Sequence, residues 1–188
     1  MKIDELLKLD KIDNLVIAFP TDTVYGVGCL INDQKGIERI YALKERDYNK
    51  PLAILVGSVE QAISLVKFIP DNAIDLIEKN WPGALTIICE KSKEVPSFLN
   101  PTFNTIGIRM PNSKIALAIL KKYGPMAVTS VNKSGEPALN SYEEIMDNYH
   151  DLIDCIIESN EVSSNVSSTV IEVTDDYIRL VRQGDVFI

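Results

Sequence analysis

The sequence predicts an α/β domain built on one twisted, mixed sheet with helices packed against it. Three observations lead there. Short apolar runs of strand length alternate with amphipathic stretches of helical period along nearly the whole chain. Several of the later runs are joined by loops too short for a helical crossover, so the sheet must contain antiparallel neighbours. No internal repeat, low-complexity tract or linker interrupts the pattern. At 188 residues, 46% hydrophobic and 24% charged, the chain can bury a sizeable core as one domain spanning 1–188.

Residues 3–9 place Ile3, Leu6, Leu7 and Leu9 on one side of a short helix. Leu15 to Phe19 is a buried strand stopped by Pro20, and residues 34–45 set Ile37, Ile40, Tyr41 and Leu43 at helical spacing. Leu52 to Val56 is the next strand. Ser58 and Gln61 then form a capping-box pattern for a helix, and a further helix follows Pro70-Asp71 to Asn80. Trp81-Pro82-Gly83 is a hard break before the strand Leu85–Cys89. Thr105–Arg109 is another strand, closed by Pro111. Ser113 caps a helix that runs to Tyr123 and stops at Gly124. Met126–Thr129 is a strand, Ser141 to Glu144 is a second capping box, and 154–157, 169–172 and 178–181 complete the strands. The polar tract 159–168 is a loop.

Composition narrows the function. No apolar run approaches the roughly 18 residues that span a bilayer, and the amphipathic first ten residues lack the apolar segment of a signal peptide. Cys29, Cys89 and Cys155 lie roughly sixty residues apart with no C-x-x-C pair, a pattern suited to a reducing cytoplasm and not to a disulfide framework or zinc site. The net charge of −8 speaks against a whole-surface nucleic-acid binder. His150 is the only histidine, and it falls at a polar helix end, so neither a histidine metal cluster nor a Ser-His-Asp triad is expected.

Against that acidic background, Lys44, Arg46 and Lys50 gather within seven residues at a helix-to-strand junction. A solvated loop accounts for them; so does a phosphate or carboxylate site, because arginine offers a planar fork of donors and lysine a point charge. Four further segments fall at predicted strand ends, where open α/β sheets collect ligands: Pro20 to Gly26, Arg109, Ser130 with Asn132, and Arg182 before Gly184. Each alone is ordinary turn chemistry. The chain has no P-loop, and Gly26-Val-Gly28 lacks the third glycine of a dinucleotide fingerprint.

Taken together, Pro20-Thr-Asp-Thr-Val-Tyr-Gly26, Lys44-x-Arg46 with Pro51-Leu52, Trp81-Pro-Gly83 with Leu85-Thr86, Ile108-Arg-Met-Pro111, Ser130-x-Asn132 with Ser134-Gly135, Ser168-Thr-Val170 and Arg182-x-Gly184 closely resemble the YrdC-like family, the threonylcarbamoyl-AMP synthases. The resemblance runs from about residue 15 to the C-terminus and is to the short, single-domain form. It implies a twisted open sheet curled around a deep basic cavity. It implies a nucleotidyltransferase that condenses L-threonine, bicarbonate and ATP into threonylcarbamoyl-AMP and pyrophosphate, with Mg²⁺ carried on the ATP phosphates and no protein metal ligands. A partner complex would pass the threonylcarbamoyl group to adenosine 37 of tRNA.

By that resemblance Lys44 and Arg46 are the catalytic cations, and Lys44, Arg46, Lys50, Thr105, Ser130, Asn132, Ala138 and Arg182 bind ATP. Thr23, Arg109, Val128 and Ser168 receive threonine. Lys50, Ser167 and Ala138 stand where the family often has asparagine, glutamate and serine. The competing expectation is a binder of double-stranded RNA or tRNA using the same basic cavity.

Overall fold

The computed structural model describes all residues from Met1 to Ile188. Its elements run α1 (Ile3–Leu6), β1 (Ile17–Phe19), β2 (Gly26–Leu30), α2 (Gln34–Leu43), β3 (Ala53–Leu55), α3 (Val59–Leu65), α4 (Asp71–Asn80), β4 (Leu85–Glu90), β5 (Thr105–Arg109), α5 (Lys114–Tyr123), β6 (Met126–Ser130), α6 (Tyr142–Tyr149), β7 (Cys155–Ile156), β8 (Thr169–Val173) and β9 (Ile178–Arg182). All nine strands join one sheet in the order β7-β1-β2-β6-β3-β5-β4-β8-β9. Parallel pairs (β1 with β7, β3 with β5, β4 with β8) mix with antiparallel ones, as the short connections require.

Local chemistry sets the helix ends. Ser113 and Ser141 each accept the amide three residues on, from Ala116 at 3.0 Å and Glu144 at 3.2 Å. Ser58 accepts from Gln61 N at 3.3 Å, and Gln61 Oε1 reaches back to the Gly57 amide at 2.7 Å. Gly124 ends α5 at φ +105°, where a side chain would be strained. The first helix is shorter than the pattern over 3–9 predicts. Strand β2 is not announced by the sequence at all: Gly26 and Gly28 dilute its alternation, yet all five of its residues are buried between β1 and β6.

The two faces of the sheet differ in how much is covered. One face carries a continuous apolar core across the whole sheet, from Ile156, Ala18 and Val27 through Ile54, Ile108 and Ile87 to Ile171. Helices α2, α3, α4 and α6 close it with Ile40, Ala62, Ile77 and Ile145. The opposite face is covered only over β7, β1, β2, β6 and β3, where Ile17, Phe19, Leu30 and Met126 pack against Leu6 of α1 and Ile119 and Leu120 of α5. Beyond β3 no helix lies on it. The outward residues of β5, β4, β8 and β9 therefore floor an open cavity.

Candidate functional site

That cavity encloses about 510 Å³. The strand period of two decides its floor. On β5 the buried Ile106 and Ile108 face the core, while Thr105, Gly107 and Arg109 face the cavity. Thr86 and Ile88 of β4 and Val170 and Glu172 of β8 continue the same side. Register aligns them in rows: Gly107 pairs with Ile88, Ile88 with Glu172 and Glu172 with Arg179, while Thr86 pairs with Val170 and Val170 with Arg182. Gly107 keeps the floor low, because a Cβ there would stand 3.2 Å from Thr86 Cγ2. Leu55, Val128, Thr129 and Ser130 form the wall toward α5, and Thr21, Thr23, Pro51, Phe103 and Ser168 complete the rim.

The lining holds four arginines (Arg46, Arg109, Arg179, Arg182) and one carboxylate, Glu172, which takes Arg179 through Nε at 2.9 Å and Nη2 at 2.7 Å. A chain of net charge −8 has thus concentrated positive charge in one concavity.

Arg109 is the most deeply set of these cations, at 6% exposure. Its Nε donates to Gly83 O at 3.0 Å and its Nη1 to Thr23 Oγ1 at 2.8 Å, and its Nη2 pairs with Asp22 Oδ1, which also accepts the Asn112 amide. Burial presses the guanidinium below its ordinary value while Asp22 opposes the shift. The Trp81-Pro82-Gly83 break therefore serves the site by turning the Gly83 carbonyl onto Arg109. The threonine loop is self-braced: Thr21 Oγ1 lies 3.0 Å from Thr23 Oγ1 and donates to Val24 O at 2.6 Å. A strap hangs on it, since Ser164 N and Asn165 N donate to Asp22 O and Thr23 O, both at 2.9 Å. Glu161 of the strap is anchored at the start of α5 by Ser113 Oγ at 2.6 Å and Ile115 N at 3.2 Å.

Arg182, the last residue of β9, folds over Ser168, donating to its carbonyl from Nη2 at 2.8 Å and to its Oγ at 3.2 Å. Ser168 Oγ in turn lies 2.8 Å from Thr86 Oγ1. Gly184 permits this closure, because a Cβ there would fall 2.2 Å from Ser167 O. Arg46 is aimed by the end of α2. Glu45 sits in the left-handed region at φ 50°, Glu45 N donates to Ala42 O at 3.1 Å and Arg46 N to Tyr41 O at 3.0 Å, which is a Schellman closure. The guanidinium then holds Lys50 O at 2.9 Å and Pro51 O at 3.0 Å. Arg46, Arg109 and Arg182 all retain unspent N–H donors for a ligand.

Eight of the expected site residues line the cavity: Thr23, Arg46, Thr105, Arg109, Val128, Ser130, Ser168 and Arg182. Four do not, and each has a physical reason. Lys44 is 1% exposed, and its ammonium is fully committed to Ser130 O (2.6 Å), Asn132 O (2.8 Å) and Asn132 Oδ1 (2.7 Å). Asn132 is the buried partner of that lysine, its Nδ2 donating to Glu136 O at 2.6 Å. Lys50 is exposed at the loop surface and contributes only its backbone: its amide donates to Asp47 O at 2.9 Å, and its carbonyl accepts from Arg46 Nε and from Tyr41 Oη at 3.0 Å. Ala138 lies half-buried behind the wall. Asp22 and Thr86 stand in motifs quoted above but without a role assigned to them, and Phe103, Glu172 and Arg179 were not anticipated. Alternation gives a clean signal only on β5, where Thr105, Gly107 and Arg109 alternate with Ile106 and Ile108; on β4 and β8 Ile88 and Val170 break it. His150 is exposed, with Nδ1 2.9 Å from Met146 O, and all three cysteines are buried and free.

An uncapped stretch of an α/β sheet whose concavity gathers four arginines with the hydroxyls of Thr86, Thr105 and Ser168 has the chemistry to hold an anionic small molecule. The chain belongs to the Sua5/YciO/YrdC family: the family profile, described as telomere recombination, matches residues 12–184. It is 38% identical over 170 residues to the threonylcarbamoyl-AMP synthase of Pyrococcus abyssi, covering 90% of this chain and 50% of that protein. Among solved structures, that of P. abyssi Sua5 complexed with L-threonine superposes with a TM-score of 0.85 at 37% identity, over 90% of this chain and 50% of the other. Escherichia coli YciO gives 0.83 at 31% identity, over 97% and 86%. The chain thus spans about half the length of the P. abyssi relative. No helix is long and apolar enough to cross a membrane.

Proposed function

We propose that this chain is a nucleotidyltransferase that makes threonylcarbamoyl-AMP from L-threonine, bicarbonate and ATP and releases pyrophosphate. The observation that carries the reading is the four-arginine cavity joined directly to a buried Arg109–Thr23 pair. The similarity to a relative solved with L-threonine supports the amino-acid end.

The threonine carboxylate meets the free donors of Arg109 beside Thr23, with Ser168 and Thr86 offering hydroxyls to the rest of the molecule. Val128 and Thr105 are walls. The amine attacks the bicarbonate carbon; loss of water leaves a carbamate, and one carbamate oxygen then attacks the α-phosphorus of ATP as pyrophosphate departs. Arg46, Ser130 and Arg182 face the phosphates. Three anions must meet, and arginines preorganised in a partly desolvated cavity relieve their repulsion and stabilise the charge that builds at phosphorus. No general base is required of the protein. Mg²⁺ would enter on the phosphates, since the one carboxylate in the lining, Glu172, is already engaged by Arg179. The product is a mixed anhydride of carbamate and phosphate, suited to consumption by a partner that transfers the threonylcarbamoyl group to tRNA. RNA binding as the sole role fits less well: the positive charge lies inside a concavity of small-molecule size and not along an exposed stripe.

Pyrophosphate release from ATP, with threonine and bicarbonate supplied or omitted in turn, tests the reading. Release is expected only when both are present; release independent of either contradicts it.

A further inference from the structure

Lys44, at 1% exposure, is buried like the core leucines, yet it belongs to the segment that supplies Arg46 to the cavity. An ammonium has three donors. All three are spent within the protein, on acceptors 2.6–2.8 Å away, and the residue does not reach the lining. What it holds is the turn after β6. Two main-chain carbonyls of that turn, those of Ser130 and Asn132, point inward at Nζ, and Asn132 Oδ1 completes the set. The same Oδ1 accepts Ser130 Oγ at 2.6 Å. From the other side, Lys44 O accepts the amide of Ser134 at 2.8 Å, and Glu45 pairs with Lys133 at 2.8 Å. Apart from the Ser130–Asn132 bond within the turn, every link runs between the end of α2, which aims Arg46, and the turn that carries Ser130. Only a group with three donors and no acceptor satisfies three converging oxygens, which accounts for a lysine here.

We propose that Lys44 is a positioning residue. Its buried ammonium clamps the β6 turn to the C-terminal end of α2, and that clamp sets Ser130 and Arg46 relative to one another for the nucleotide phosphates. The role rests on nucleotide binding at those two side chains. It differs from direct phosphate ligation in what fails when the lysine is removed: the unliganded loop itself loosens. Arg46, whose spare donors face the cavity, has the opposite character.

The test combines hydrogen exchange of the unliganded protein with ATP titration in wild type, Lys44→Met, Asn132→Leu and Arg46→Met. In Lys44→Met the amides of Val131, Ser134 and Leu139, bonded to Tyr25 O, Lys44 O and Val131 O, exchange faster by about tenfold or more, while those of Ile106 and Ile108 do not change. ATP affinity falls by about tenfold or more in the same variant. Asn132→Leu gives both effects, and the double variant is little worse than either single one, as expected for one shared clamp. Arg46→Met loses ATP affinity with exchange unchanged. Exchange unchanged in Lys44→Met while ATP affinity is lost would make the lysine a ligand and overturn the proposal. Faster exchange with undiminished affinity would overturn it too, leaving a purely structural residue. Should Lys44→Met fail to fold, Asn132→Leu decides alone: ATP affinity within about twofold of wild type contradicts the clamp. A wild-type protein that binds no ATP overturns the functional reading and the positioning role with it, whereas the exchange arm reads the clamp in the absence of ligand.

Discussion

The α5 side of the sheet has two halves built by the same strand rule and put to opposite uses. Under α1 and α5, the outward residues of β1, β2 and β6 include Ile17, Phe19, Leu30 and Met126, and that part is dry, with Leu55 of β3 at its border with the cavity. From β5 to β9 the corresponding positions are Thr105, Gly107, Arg109, Thr86, Glu172 and Arg182, and the half is a cavity. Both halves share one continuous apolar core behind them. The bare half can therefore carry hydroxyls, a glycine floor and arginines without supporting the fold alone. If the proposed chemistry belongs to the bare half, variants in the two should fail differently.

Arg109→Met should have the largest effect. It removes the proposed carboxylate receptor, so threonine-dependent turnover should fall by about a hundredfold or more, as for a site built around a charge-assisted contact. It also strands Asp22, so a loss of about 3–5 kcal/mol in urea unfolding is expected. Turnover per folded molecule separates the two effects. On the dry half, Phe19→Ala should cost about 3–5 kcal/mol of stability from an emptied core site, with turnover per folded molecule unchanged below the melting temperature. A strong activity loss in the folded fraction would blur the division. Gly107→Val converts one position of the bare half to the covered kind. ATP or threonine affinity should drop by about tenfold, near 1.4 kcal/mol, while the urea midpoint moves little.

A pH series examines the boundary between the halves, where Lys44 sits. Burial, with Arg46 adding to it, holds its amine at about 8, down from 10.5. As pH rises through 8 the folded protein releases this proton before the unfolded chain does. The contribution of Lys44 to global stability therefore increases between pH 8 and 10.5, while the clamp loses a donor. ATP affinity should decline above about pH 8 without a matching loss of stability from this group, and Lys44→Met should lack the transition. The smallest effect concerns Glu45, whose left-handed backbone at φ 50° suits glycine better. Glu45→Gly should raise stability by about 0.5–1 kcal/mol, little reduced by loss of the exposed pair with Lys133, and leave Arg46 aimed as before.

Most of the architecture was legible in the sequence because capping residues and apolar period agree locally, as at Ser113, Ser141 and Gly124. Strand β2 was not, since Gly26 and Gly28 are selected by the close approach of β6 and not by apolar pattern; a Cβ on Gly28 would meet Ala127 O at 2.7 Å. The site was legible as a set of strand ends, and eight of its assigned residues do line the cavity. Lys44 and Asn132 fall behind the wall because residue type announces charge and polarity but not whether the donors are already spent. Glu172 and Arg179 escaped notice because cross-strand pairing on β8 and β9 shows only in register.

The division of labour is tested most directly by titrating the protein with ATP and then L-threonine and following amide chemical shifts. Saturable shifts are predicted at Thr23, Arg46, Thr86, Gly107, Ser130, Val170 and Glu172, with the α5-covered residues Phe19 and Met126 unmoved. Shifts confined to the groove between α2 and α6, lined by Arg39, Glu45, Lys133 and Asn148, or no saturable shift in the bare half, would contradict the account.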